Sequence, residues 1–213
     1  MKAILGFALF GLSSAVLAGT PEFRYVQGNL ISKTSEYHDS YDDEETTERG
    51  VRADASFTGG SLWYFPLSLR VANYTTQYNQ HTSSEASLVT LSAGAGLRFT
   101  PSDSSAIFVD YSLLSENYRD KDDDEYSDSN QHNGNLLRAG WRWMPGDTLE
   151  FLLAWQRQTM SYSYSDYTEK YRTIGLRAHL TERMSVGVQT SNLRDTNYWD
   201  STRENEVNFR FSF

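Results

Sequence analysis

Apolar and polar residues alternate along most of this chain with a period of two. The last segment shows it most clearly: Val207, Phe209, Phe211 and Phe213 share one parity, and Glu206, Asn208, Arg210 and Ser212 the other. Successive side chains of a strand point to opposite faces, so this segment is an extended strand with one apolar and one polar face. The same pattern recurs upstream. Val51, Ala53, Ala55 and Phe57 oppose Arg52, Asp54 and Ser56; Trp63, Phe65, Leu67, Leu69 and Val71 oppose Tyr64, Ser68, Arg70 and Tyr74. Four more runs continue it at 89–99, 107–116, 137–143 and 149–158. Two further strands, at 173–180 and 184–191, precede the terminal one. The first strand, Phe23 to Ser35, is less regular: Phe23, Tyr25 and Ile31 have one parity, Val26 and Leu30 the other. A bulge near Gly28 would reconcile them.

Ten strands result, joined by four short turns and five longer connections in strict alternation. The short turns are Gly59-Gly60-Ser61, Pro101 to Ser104, Pro145-Gly146-Asp147 and Thr181-Glu182-Arg183. An antiparallel up-and-down barrel has this order, and its strands span a bilayer in about 9–11 residues. The predicted fold is all-β: a transmembrane up-and-down barrel of ten strands, with eight as the alternative. An even strand number puts both termini at the short-turn end, the periplasmic side in that reading.

The polar faces decide which side faces lipid. Arg52, Asp54, Arg70, Arg98, Asp110, Arg138, Arg142, Glu150, Arg177, Glu206 and Arg210 all share the parity opposite to the apolar residues. A soluble barrel would turn the apolar face inward; a membrane barrel lines its lumen with these charges instead. The aromatics favour the second arrangement. Trp63, Phe65, Phe99, Trp141, Trp143 and Phe151 lie beside short turns, while Tyr74, Tyr111, Tyr118, Tyr162, Tyr164, Tyr171 and Trp199 lie toward the longer connections. Two girdles at opposite strand ends are what interfacial anchoring requires.

Composition adds an export signal. Lys2 precedes an apolar run from Ala3 to Leu12, and Val16 and Ala18 occupy the two cleavage-site positions, so residues 1–18 read as a signal peptide and 19–213 as the barrel. Cleavage there leaves 195 residues carrying 18 basic and 28 acidic side chains. That acidity argues against a nucleic-acid partner. Cysteine is absent, so disulfides play no part.

On this architecture, and on Val207, Phe209, Phe211 and Phe213 at the end, the chain resembles the small Gram-negative outer-membrane barrels of the OmpX and OmpA-transmembrane-domain type. The resemblance implies that these four residues are an assembly signal read by the barrel-assembly machinery. The chain departs from that class in having ten apparent strands where its members have eight.

Candidate chemistry is sparse. Eight strands leave an interior just filled by side chains, and ten lie near that limit, so a plugged or narrow lumen of paired charges is expected. Inward-facing Gly94, Gly96, Gly140, Gly175 and Gly187 would make room for long arginines. Asp120, Asp122 and Asp124 have the spacing of a calcium loop, but Glu125 replaces its turn glycine and Gln131 its bidentate glutamate. They are weak candidates for a divalent-cation site. His38, His81 and His132 fall in or beside long connections, and His179 on a strand, without a hydrolase motif; no enzyme and no cofactor is expected. The expected role is envelope-structural or surface interaction through acidic, Tyr-rich loops, with lipid, lipopolysaccharide and loop-bound cations as partners. A porin-like channel for ions or small solutes is the alternative, and a rim hydrolase is less favoured.

Overall fold

A computed structural model describes residues 21–38, 43–78, 82–120, 130–161, 166–195 and 201–213. The signal-peptide reading of residues 1–18 therefore lies outside the described residues, as do His81, Asp122 and Asp124.

Ten strands form one closed antiparallel barrel in which each strand pairs with its sequence neighbours and β1 closes on β10. They are β1 (Tyr25–His38), β2 (Asp43–Gly59), β3 (Trp63–Tyr78), β4 (Thr82–Ser102) and β5 (Ser105–Asp120). The second half comprises β6 (Asn130–Trp143), β7 (Leu149–Ser161), β8 (Asp166–His179), β9 (Met184–Asp195) and β10 (Ser201–Ser212). The first described residues and Phe213 lie together at the short-turn end, where the Phe213 N–H donates to the Arg24 carbonyl. Closure removes the unpaired edges that lipid could not satisfy.

Each alternating run turns the way its pattern requires. Leu30 and Leu113 are 65% exposed and Phe99 63%, whereas Asp110, Glu150 and Glu206 are at most 3% exposed. A water-soluble barrel of this sequence would have the opposite disposition. The wall therefore suits hydrocarbon, and the interior is polar. Trp141 stacks on Trp143 at 6.0 Å, and Trp143 packs on Phe151 at 5.5 Å, forming an aromatic band beside the short turns.

Two expectations need correction. Strands run from 12 to 21 residues, longer than the span a bilayer needs. Their distal ends carry Ser, Thr, Glu and Tyr on both faces and extend past the apolar belt, so no alternation marks them. The β1 register also runs unbroken against both β2 and β10, so no bulge forms at Gly28. Instead Phe23 and Ile31 point into the lumen, 3% and 4% exposed. Their parity is that of Gln27 and Asn29, and they are apolar because they fill the interior.

Candidate functional site: the charged lumen

The lumen narrows to a floor near the short turns. Phe23, delivered by the segment preceding β1, packs on Tyr64 of β3 (5.0 Å between centroids) and Phe108 of β5 (6.0 Å). Two glycines seat these rings. A Cβ at Gly96 would lie 2.6 Å from the Tyr64 ring, and one at Gly140 2.6 Å from Phe108. The glycine faces therefore make room for aromatic rings rather than for arginines at these two positions. Arg142 and Arg98 lie over the Phe23 ring at 4.7 and 5.4 Å, and Arg142 Nη1 donates to the Glu22 carbonyl at 2.5 Å.

Beside this plug, one carboxylate gathers four nitrogen-bearing side chains. Arg142 on β6 donates to both Glu150 oxygens on β7, at 3.0 and 2.6 Å, in a bidentate pair. Arg177 Nε, His179 Nε2 and Arg210 Nη1 approach the same carboxylate at 3.7, 3.8 and 3.9 Å. Arg177 and Arg210 are fixed from the other side, both donating to Gln27 Oε1 at 2.9 and 2.8 Å. Arg210 also covers the Tyr25 ring at 3.7 Å.

Above the floor, charges pair between strands. Asp110 accepts from the Tyr64 hydroxyl at 2.5 Å and from Arg138 at 3.0 Å. Arg52 bonds Asp54 at 3.1 Å and Glu206 at 2.6 Å, while Asn29 donates to Asp54 at 2.8 Å. Nearer the long connections, Arg70 bridges Glu48 and Glu204, the latter at 2.8 Å. Lys33 stands 3.8 Å from Glu169 and 5.8 Å from the centre of the Tyr171 ring. A cavity of about 290 Å³ follows this path, lined from Phe23 and Arg142 at the floor to Tyr74 and Glu116 above.

The charges separate along the axis. At the floor, Arg142, Arg177 and Arg210 gather around one carboxylate, Glu150. Toward the long connections, among the described residues, Glu48, Glu116, Glu169 and Glu204 gather around Lys33 and Arg70. Burying this many ions requires pairing, and the pairs tie together strands distant in sequence: β2 to β10, β3 to β10, β1 to β8. Chemically the lumen is a shaft lined by paired charges.

Of the eleven charged residues singled out in the sequence, ten line this cavity; Arg98 instead donates to the Ser61 and Gly60 carbonyls at the turn, over the Phe23 ring. Tyr64 and Phe108 stand on the inward face that the alternation gave them; Phe23 at the floor and the upper charges Lys33, Glu48, Glu169 and Glu204 are additions. Glu204 shares the parity of Glu206, which one more step of the alternation would have reached. Asp120 ends β5, and with Asp122 and Asp124 outside the described residues, the cation site has no described geometry. Among the described residues, no cluster of three or more metal-ligating side chains occurs. His132 lies on β6, and His179 lies beside Glu150 at the floor.

Neither a family model nor a curated protein sequence matches the chain. Solved structures do. The beta domain of the Bordetella autotransporter BrkA superposes with a TM-score of 0.59 at 12% identity, covering 90% of this chain and 100% of that one. The transport unit of the autotransporter AIDA-I from Escherichia coli gives 0.52 at 9% identity, covering 97% and 94%. At such identities the likeness concerns architecture alone. The closed antiparallel barrel, the outward apolar belt and these neighbours together show that the chain has the fold of a bacterial outer-membrane β-barrel.

Proposed function

We propose that the chain is an integral protein of the bacterial outer membrane whose barrel is a closed, charge-paired scaffold, and that its work is non-enzymatic and done at the surface. That work is envelope integrity or contact with lipopolysaccharide, divalent cations or a neighbouring cell, through the acidic, Tyr-rich connections that the barrel presents. The observation that carries this reading is the floor. Phe23, Tyr64 and Phe108 pack together in the short-turn mouth, and Arg142, held by Glu150 on the neighbouring strand, lies over the Phe23 ring and donates to the Glu22 carbonyl. A rigid barrel with a blocked lumen leaves its loops as the variable, interacting part. Assembly by the barrel-assembly machinery, using Val207, Phe209, Phe211 and Phe213, belongs to the same reading.

A narrow channel for ions or small solutes is the second reading. The cavity of about 290 Å³ that climbs from the floor favours it. Planar-bilayer recording of the purified, folded chain separates the two. The closed scaffold gives no stepwise conductance at moderate voltage. Stable unitary steps from the unmodified protein would overturn it in favour of the channel.

A further inference from the structure

We propose that the outer wall of β7 to β10, just above the apolar belt, is a docking site for a phosphorylated lipid headgroup, held by Arg157, Arg172 and Arg203. This deepens the proposed function by giving its lipid contact a site on the barrel wall. It rests on the reading that the long connections face the outer leaflet.

The three arginines are exposed on the outside of the barrel. Register brings them together. Arg172 on β8 and Arg203 on β10 are both partners of Asn192 on β9, and Arg203 Nε donates to Asn192 Oδ1 at 3.3 Å. Arg172 is also the partner of Trp155 on β7, two residues before Arg157 on the same face. Neighbouring strands lie about 4.8 Å apart, so Arg172 and Arg203, two strands apart, are separated by roughly 10 Å at the backbone. Arg157 sits diagonally from Arg172, about 7–8 Å away. Long, forked side chains at these separations can close on one phosphate from three sides, the geometry that guanidinium groups favour.

Two features make this wall unlike the rest. Arg157 is directly opposite Lys170 in the register. Lys170 also has Asp195 as its register partner on β9, so the site stands on the three arginines. Among the described residues, the other outward arginines near the long connections, Arg49 and Arg119, have uncharged register partners. Arg49 faces Ser32 and Asn73, and Arg119 faces Ser87. The whole chain, meanwhile, carries a net charge of −9, so a basic wall is not a general property of its surface.

Position selects the lipid. Two residues below Arg157 and Arg172 on the same face lie Trp155 and Ile174, 38% and 60% exposed, and below Arg203 the exposed Asn205 is followed by Val207, 56% exposed. A ligand bound here has its charged group against guanidiniums and its next few ångströms against aliphatic and indole surface. That is the profile of an anionic headgroup joined to acyl chains, and basic residues at a membrane interface attract it with about 1 kcal/mol each.

The test uses the folded full-length chain in an uncharged detergent, with native mass spectrometry reading bound ligand. Three probes are titrated: lipid A with two phosphates, the same lipid dephosphorylated, and inorganic phosphate. The proposal expects retention of the diphosphorylated lipid alone. The triple variant Arg157→Gln, Arg172→Gln, Arg203→Gln should weaken it about a hundredfold, while Arg49→Gln with Arg119→Gln leaves it unchanged. Single Arg172→Gln, expected to cost up to about tenfold, serves if the triple variant does not fold. Equal binding by the triple or single variant and the unmodified chain overturns the site. Equal retention of the dephosphorylated lipid overturns the phosphate requirement, and competition by inorganic phosphate at matched concentration overturns the lipid as source. Each sample is also run on a gel unheated and boiled. A mobility shift without lipid binding counts against the docking site only; no shift in the unmodified chain counts against the barrel reading beneath it.

Discussion

Glu150→Gln is the substitution that most loads the reasoning about the lumen. The side chain keeps its size and loses its charge. In the native barrel the carboxylate bonds Arg142 through both oxygens and lies within 3.9 Å of nitrogen atoms on Arg177, His179 and Arg210. It is 3% exposed, and Arg142, Arg177 and Arg210 are 5–7% exposed. The amide could still accept one bond from Arg142, but its NH2 would face another donor. Three buried cations would then have no carboxylate among them. Breaking a buried pair by removing one partner costs about 3–5 kcal/mol, because the remaining charge stays desolvated and uncompensated. The expected loss lies in that range. The assay is reversible denaturant unfolding of the barrel in lipid vesicles, read by tryptophan fluorescence, with the midpoint compared at constant slope. Removing the partner as well, in Glu150→Gln with Arg142→Met, should recover part of the loss, since a matched apolar replacement of a buried pair is often neutral. A cost below about 1 kcal/mol for Glu150→Gln would refute the reasoning, and so would a double variant less stable than the single one.

Three further outcomes follow from the same geometry. Phe23→Ala removes the ring that fills the floor between Tyr64 and Phe108; in planar bilayers the variant should show stepwise conductance that the unmodified protein lacks. Gly96→Val places side-chain atoms inside the Tyr64 ring's position and should destabilise the barrel by about 1–3 kcal/mol, whereas Gly28→Ala, where a Cβ meets nothing within 4 Å, should be neutral in the same unfolding assay. Leu30→Arg puts a charge on the lipid face at a side chain 65% exposed. It should cost about 2–4 kcal/mol if Leu30 lies near the bilayer midplane, read as a lower denaturant midpoint in vesicles.

The fold was legible because lipid imposes a one-sided rule. From β2 onward every outward residue in the belt meets hydrocarbon, so alternation survives in the sequence and fixes strand number and facing. It fails in two places for physical reasons. At the start of the chain's described part, Phe23 before β1 and Ile31 on β1 are apolar inside, because the interior needs filling as well as charge. In the distal strand extensions both faces meet water or polar lumen, so Glu48, Glu169 and Glu204 carry no contrast with their neighbours. The lumen pairings were hidden for a different reason. Glu206 bonds Arg52 on β2 and Glu204 bonds Arg70 on β3, across one or more intervening strands. Which charges meet depends on how the sheet curls and shears as it closes, and no local spacing encodes that. The basic outer wall was missed in the same way, since Arg157, Arg172 and Arg203 are adjacent only through register.

The disposition of β10 bears most directly on the whole account. The chain has no cysteine, so single cysteines at positions 207 to 212 can carry a fluorophore without ambiguity. In vesicles containing brominated lipid, labels at Val207→Cys, Phe209→Cys and Phe211→Cys should be quenched, and those at Asn208→Cys, Arg210→Cys and Ser212→Cys should not. Quenching of the second set instead, or of both sets equally, would contradict a barrel whose apolar face lies in lipid and whose charges line the lumen.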